Sequence, residues 1–454
     1  MGLALLLCLA FLPCLALAQQ NAAPSSATLF DRLTYQPSLK AGERDPNGKL
    51  ITGTEIMNIV PFQGRLYASN DLWMERDPNV PKGCQVLVLD SPKGKWKVDH
   101  QFAKNNLRLV SLKSVTFTTD DRGKGITPVS MLMAAPDVAI GGTVEIFSLY
   151  DETAPWTSMP LGTATVYSTT RAIGFHHDAV TGVDLVFAGN DTLGTLRGVY
   201  DPRAPGRIRW DKTPEFPVPP DERVMGFCNC NGVCYCATTK CIFRRTDGKF
   251  PSWQQVYSCP KEKKAVGIRG LTAIPNPSGE GESLLFAALR KVRRLDVNGF
   301  KETIELDMPA FLTEQRGSDV AFALAAYNEF LPYTLPGTGE TVWLFGFESS
   351  YPPRALRTPK AADLRLFVRE DVIPNWHFDA RAFYFIRRVN HGTVTYTTEE
   401  VTDPLNPTLV SVRAIAVSPF PEDKGKAFYF CGFDCNSIPS HNTAWIYRAT
   451  IAGD

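Results

Sequence analysis

The sequence predicts an all-β fold, and three observations carry that prediction. The first is a recurring shape: an apolar strand, a turn with Gly, and a second apolar strand ending in small residues, which is a hairpin signature. It is plain in IVPFQGRLYAS from Ile59 and, aligned without gaps, in FCNCNGVCYCA from Phe227. The second is a third strand after most hairpins, and usually a fourth. The third is the spacing, since the copies return about every fifty residues, as a repeat architecture requires.

Taken in chain order, a looser copy, KSVTFTTDDRGKGITPVSMLMAAPD, begins at Lys113, and RAIGFHHDAVTGVDLVFAGND follows from Arg171. After the Phe227 copy come RGLTAIPNPSGEGESLLFAAL from Arg269, VAFALAAYNEFLPYTLPGTGETVWLFGFES from Val320 and VRAIAVSPFPEDKGKAFYFCGFD from Val412, seven copies in all. Third strands are seen in GTLRGVYD, KCIFRRTD, KVRRLDV, FYFIRRV and AWIYRAT, and fourth strands in RIRWD, WQQVYS and KETIELD. Four antiparallel strands per unit describe a propeller blade, so the prediction is a seven-bladed β-propeller over residues 19–454. A longer piece, Pro352 to Phe378, reads as an insertion in the sixth unit. The last unit stops at its third strand, while TLFDRLTY from Thr28 is strand-like and unassigned, so the N-terminus is expected to supply the missing strand and close the ring. Two smaller β-domains in tandem are the competing arrangement, against which the repeat runs without a linker.

Through these hairpins, and over nearly all of its length, the chain resembles secreted β-propellers in general and matches no specific family. The Ser/Asp-box and Trp-Asp signatures are absent, so no catalytic residue is carried over, and the fold alone does not specify a function.

Lys plus Arg is 48 against 47 Asp plus Glu, a formal charge of +1, which implies neither nucleic acid nor an anionic membrane as partner. Residues 1–18, MGLALLLCLAFLPCLALA, read as a signal peptide ending in Ala-Leu-Ala, although the segment lacks Lys and Arg at its start. No other stretch approaches the ~20 apolar residues of a membrane span. A secreted or periplasmic, monomeric protein is expected. Asn190-Asp-Thr is a glycosylation sequon that matters only in a eukaryotic host.

Five cysteines stand between Phe227 and Cys241. With Asn231-Gly232 as a two-residue turn, Cys230 opposes Val233 and Cys228 opposes Tyr235, while Cys234 and Cys236 oppose Asn229 and Phe227. The two cysteine pairs then face opposite sides of the sheet and cannot close a tetrahedral zinc site. Disulfides with neighbours such as Cys241 and Cys259 are the expectation for an exported chain, with Cys431 and Cys435 stapling their loop and Cys84 unpaired.

The six histidines, His100, His176, His177, His377, His391 and His441, show no metal-binding spacing. His441 lies in a loop on the face where propellers usually work and is the candidate acid or base; His176 and His177 read as ordinary turn residues. No nucleophile elbow, P-loop or dinucleotide fingerprint occurs.

Stacking the hairpins gives two columns of charge at one channel mouth. The residues opening each inner strand are Glu55, Lys113, Arg171, Arg223, Arg269, Asp319 and Arg413; those ending each second strand are Asp71, Asp137, Asp191, Lys240, Arg290, Glu348 and Asp434. Lys113 with Asp137, Arg171 with Asp191 and Arg413 with Asp434 read as structural pairs. Blades four and five present like positive charges, and blades one and six present acid on acid, an arrangement that solvent or a ligand must compensate unless the groups pair between blades.

The leading expectation is therefore a funnel for an anionic or zwitterionic small molecule or glycan, held by Arg223 and Arg269 with Arg171, Arg413, Lys240 and Arg290 nearby. The enzyme alternative is a lyase or hydrolase of uronic-acid-like substrates, with Ca2+ or another divalent cation on Glu55, Asp71, Asp319 and Glu348 and His441 as acid or base. A protein-binding scaffold is the third class.

Overall fold

The computed structural model describes residues 29–451, apart from 261–266, 317–321, 326–327, 352–378, 404–408, 435–440 and positions 74, 76, 220, 381 and 410. The expected signal peptide and the expected insertion at 352–378 lie outside the described residues. Within them the chain forms seven four-stranded antiparallel blades in a ring, as the repeat predicts. Blade one comprises Glu55–Phe62, Arg65–Asp71, Gln85–Leu89 and Lys97–Gln101 in that spatial order. The inner strands of the next four blades are Ser111–Thr119, Thr170–Asp178, Val224–Cys230 and Arg269–Pro275.

Blade six departs from the pattern. Its inner position is shared by two short strands, Phe322–Ala325 and Leu331–Thr334, both paired to Thr341–Tyr351. Residues 328–330, between them, extend across the central channel. The nine-residue helix Met308–Arg316 precedes this blade.

In blade seven, Ser411–Val417, Ala427–Phe433 and Ala444–Ile451 are completed by Leu33–Lys40, which pairs with the last strand from Leu33↔Ile451 to Lys40↔Trp445. The closing strand is the expected one, begun five positions later than TLFDRLTY suggests. Phe30–Arg32 forms a 3-10 turn first, because burying Phe30 between blades six and seven bends the chain there.

Each blade is apolar on both faces, so each pair of neighbours encloses its own core. Ile56 and Ile59 pack on Ala414 and Tyr429 where blades one and seven meet, and Phe187 and Val224 do so between blades three and four. The other five junctions are built alike. At about 1.5–3 kcal/mol for each fully buried Leu, Ile or Phe, these seven layers dominate stability.

The cysteine hairpin folds in the register expected of an Asn231-Gly232 turn: Cys230↔Val233, Cys228↔Tyr235, Asn229↔Cys234 and Phe227↔Cys236. Asn231 and Gly232 both take positive φ, 50° and 75°, the type I′ geometry that Asn-Gly favours. Cys230 thereby packs toward blade five while Cys234, Cys236 and Cys241 pack toward blade three. This corrects the expected disulfides: all eight described cysteines are free thiols. Cys259 packs toward blade five, across the sheet from Cys241. Cys435 lies outside the described residues.

Candidate functional site

The inner strands surround a channel cavity of about 410 Å³. Its shape depends on a recurrent irregularity. In blades one, three, four, five and seven the inner strand slips register near its start, around Met57, Arg171, Met225, Gly270–Leu271 and Arg413. A bulge re-aims the side chain it carries. Arg171 and Arg413 are thus equivalent positions, whereas Glu55, Arg223 and Arg269 precede their bulges, so the single column read from sequence divides into two levels.

Among the described residues, four charged side chains line the cavity: Lys113, Arg171, Arg269 and Glu329. Arg171 is far more enclosed than Lys113. Its side chain is only 7% exposed, and its sole ionic partner among the described residues is Asp191, Nε to Oδ2 at 3.5 Å. Nε makes no hydrogen bond, nor does Asp191 Oδ1. Asp191 is also shared, since Arg223 approaches the same oxygen at 3.7 Å with a side chain 54% exposed. Two guanidinium groups on one carboxylate leave a net positive charge at the channel wall. Arg269 places Nη1 3.9 Å from Met225 Sδ, a weak acceptor.

Residues 328–330 thread the cavity. Asn328 Nδ2 donates to the carbonyls of Met57 (2.6 Å) and Arg413 (3.3 Å), on blades one and seven. The Phe330 N–H donates to Thr272 Oγ1 of blade five at 2.9 Å, and Glu329 forms an ion pair with Lys113 of blade two. The expected pair of Lys113 with Asp137 is therefore corrected. Lys113 is the third residue of its strand, opposite Met133, and faces the channel, while Asp137 lies beyond the end of the second strand. Asp137 instead accepts the N–H groups of Leu107 (2.7 Å) and Arg108 (3.0 Å) and the hydroxyl of Tyr167. Burial pushes its carboxyl upward, and those three donors pull it back.

At blade one the acids are cross-strand neighbours, Glu55↔Asp71, as expected. Each is matched by a guanidinium from an adjoining segment. Arg413 Nε donates to Glu55 across the ring closure, and Arg108 Nε stands 3.8 Å from Asp71 Oδ2. Glu55 also accepts Trp73 Nε1 at 2.8 Å, and Asp71 accepts the Leu109 N–H at 2.7 Å. A cation on these carboxylates would compete with both guanidinium groups. Asp319 and the side chain of Glu348 lie outside the described residues. Lys240 and Arg290 stand exposed on turns away from the channel lining.

His441 also lies off the channel. Its Nδ1 bonds Oε1 of Glu75, a fully buried side chain, at 3.0 Å, and its Nε2 accepts from Asn442 Nδ2 at 2.9 Å. The contact fastens blade seven's loop to blade one. His176 and His177 serve structure as well: His177 bonds Asp184 at 2.7 Å, and His176 bridges Asn229 and Asp247 at 2.8 Å each. Beside it Arg245, fully buried, binds Asp178 (2.8 Å), Glu215 (2.8 Å) and Asp247 (2.6 Å) between blades three and four.

Sequence reasoning missed Glu329 and the rim aromatics Trp73 and Tyr167. The charge columns hold only residues at strand ends, and these three stand in loops.

No family model matches the chain, and neither does any curated protein. Among solved structures it is similar to the S. cerevisiae core factor at 8% identity and TM-score 0.43, over 92% of this chain and 60% of that chain. It is similar to a novel fungal alcohol oxidase in complex with copper at 11% identity and TM-score 0.46, over 92% of this chain and 76% of that chain. It is also similar to the NanB sialidase from Streptococcus pneumoniae at 9% identity and TM-score 0.38, over 92% and 70%. No residue role is carried over from any of them, and among the described residues no helix is long and apolar enough to cross a membrane.

Proposed function

We propose that the protein is an exported propeller that binds an anionic small molecule or acidic glycan in its central channel. Arg171 receives the anion, with Lys113 and Arg269 beside it. The observation that carries this reading is the state of Arg171, a channel-wall residue whose side chain is more than nine-tenths buried and whose carboxylate partner is shared with Arg223. A buried charge so weakly compensated is costly unless a further anion completes it. The planar fork suits a carboxylate or sulfate, and the cavity volume falls in the range of small-molecule sites. Arg223, expected as half of the clamp, becomes an outer residue that offsets Asp191.

Calorimetric titration with trigalacturonic acid, against neutral maltotriose, tests the reading. Only the acidic sugar should bind, and Arg171→Ala should weaken it by ~1.5–3 kcal/mol, the range for hydrogen bonds to charged groups. Arg171→Lys should recover only part of the loss, because a single ammonium replaces a bidentate fork. Unchanged affinity in Arg171→Ala would move the site elsewhere.

A further inference from the structure

We propose that the rim beside the channel carries a sugar-stacking site formed by Trp73 and Tyr167 about the Arg108 guanidinium, so that the ligand is an acidic oligosaccharide rather than a lone anion. This rests on the reading of the channel as an anion site and names its ligand class.

Trp73 follows the second strand of blade one, Arg108 precedes the inner strand of blade two, and Tyr167 precedes that of blade three. All three loops open on the face where the inner strands begin. The polar ends of both aromatics are committed to the protein. Trp73 Nε1 donates to Glu55, and the Tyr167 hydroxyl donates to Asp137. Arg108 joins the two: its guanidinium Cζ stands 4.7 Å from the Trp73 ring centroid, and its main-chain N–H donates to Asp137 at 3.0 Å. The ring bodies nonetheless remain open, Trp73 at 39% and Tyr167 at 47% exposure. An aromatic ring fixed in orientation and left wet is a prepared surface, because the ordering cost is met before any ligand arrives.

The arc borders inner strands that line the channel. Glu55, which holds Trp73, accepts Arg413 from the inner strand of blade seven. Tyr167 stands three residues before the strand Thr170–Asp178, whose second residue is the channel cation Arg171. An acid group on Arg171 therefore leaves the next residue of a chain over the rim. Pyranose rings present C–H edges to the negative face of an aromatic ring, a contact that both exposed rings offer. A protein partner would need a broader apolar surface than two aromatic rings.

The test compares chain lengths by calorimetry, using galacturonic acid and trigalacturonic acid. Wild type should bind the trimer at least about tenfold more tightly than the monomer. Trp73→Ala and Tyr167→Ala should each remove most of that gain and leave monomer affinity unchanged, while Trp73→Phe keeps most of it and shows that the ring is what counts. Arg171→Ala should instead weaken both sugars together. If Trp73→Ala, Trp73→Phe and Tyr167→Ala all bind the trimer like wild type, or if the alanine variants lower both sugars equally, the stacking site is wrong while the anion site stands. If wild type binds neither sugar, both readings fall. Should Trp73→Ala fail to fold, Tyr167→Ala and Trp73→Phe carry the comparison.

Discussion

Lys113 and Glu329 meet across the central channel although 216 positions separate them in the chain. Glu329 stands on the crossing segment of blade six, and its carboxylate fills the place at Lys113 that an anionic ligand would seek. Both side chains are partly exposed, 35% and 51%, so the pair contributes little to folding. Glu329→Gln should therefore leave the melting temperature nearly unchanged and raise affinity for trigalacturonic acid up to about fivefold, the equivalent of an exposed ion pair of ~1 kcal/mol. Weaker binding in Glu329→Gln would show that the carboxylate assists the ligand.

Ring closure depends on a strand far from the last blade in sequence. Deleting residues 29–40 should expose the edge of Ala444–Ile451 and remove Phe30 from its core, lowering stability by several kcal/mol and promoting aggregation. Thermal melting with light scattering checks this; an unchanged midpoint and native solubility would contradict the closure.

Arg413 and Glu55 form a second closure contact, with side chains only 8% and 1% exposed. Arg413→Ala leaves a buried carboxylate without this partner and should cost ~3–5 kcal/mol in urea unfolding, whereas Arg223→Ala, at a half-exposed site, should cost less than ~1 kcal/mol. Equal losses would contradict the division between structural and rim cations.

Asp178 and Asp71 predict opposite responses to pH. At Asp178 burial acts upward, but hydrogen bonds from Arg245 and from the N–H groups of Thr181 and Gly248 outweigh it and hold the carboxyl below its ordinary range. Its folded value is depressed, so its contribution is fully present above the unfolded value near 4 and is lost as pH falls through the folded value. At Asp71 burial dominates and raises the carboxyl well above the ordinary range, against Arg108. The folded state then holds its proton longer than the unfolded chain, and this group's contribution falls as pH rises through that interval. Urea unfolding from pH 2 to 7 should show Asp178→Asn losing stability at neutral pH and flattening the acid limb. Asp71→Asn should remove the opposing slope. An acid limb unaltered by Asp178→Asn would contradict the assignment.

Several of these relationships were legible in the sequence because they depend on local register. The Cys230↔Val233 pairing follows from Asn231-Gly232 alone, and Arg171 with Asp191 follows from hairpin ends of equal length in blade three. Lys113 was misassigned because its strand begins two residues earlier, at Ser111, which carries the side chain into the channel. Arg413 with Glu55 joins strands 358 positions apart, a contact that column-by-column reading within blades does not reach. Glu329 was hidden because the inner strand of blade six is interrupted, and an interruption leaves no periodic mark. The bulges were equally silent, since a one-residue slip changes where a side chain points without changing the apolar pattern.

The central claim is that the Arg171 guanidinium is the channel's anion site, and a crystal structure of the protein with bound trigalacturonic acid tests it most directly. The account predicts one sugar carboxylate within the channel, at hydrogen-bond distance of the Arg171 guanidinium, about 2.7–2.9 Å. Arg171 bound to Asp191 alone, with the sugar seated outside the channel, would contradict it.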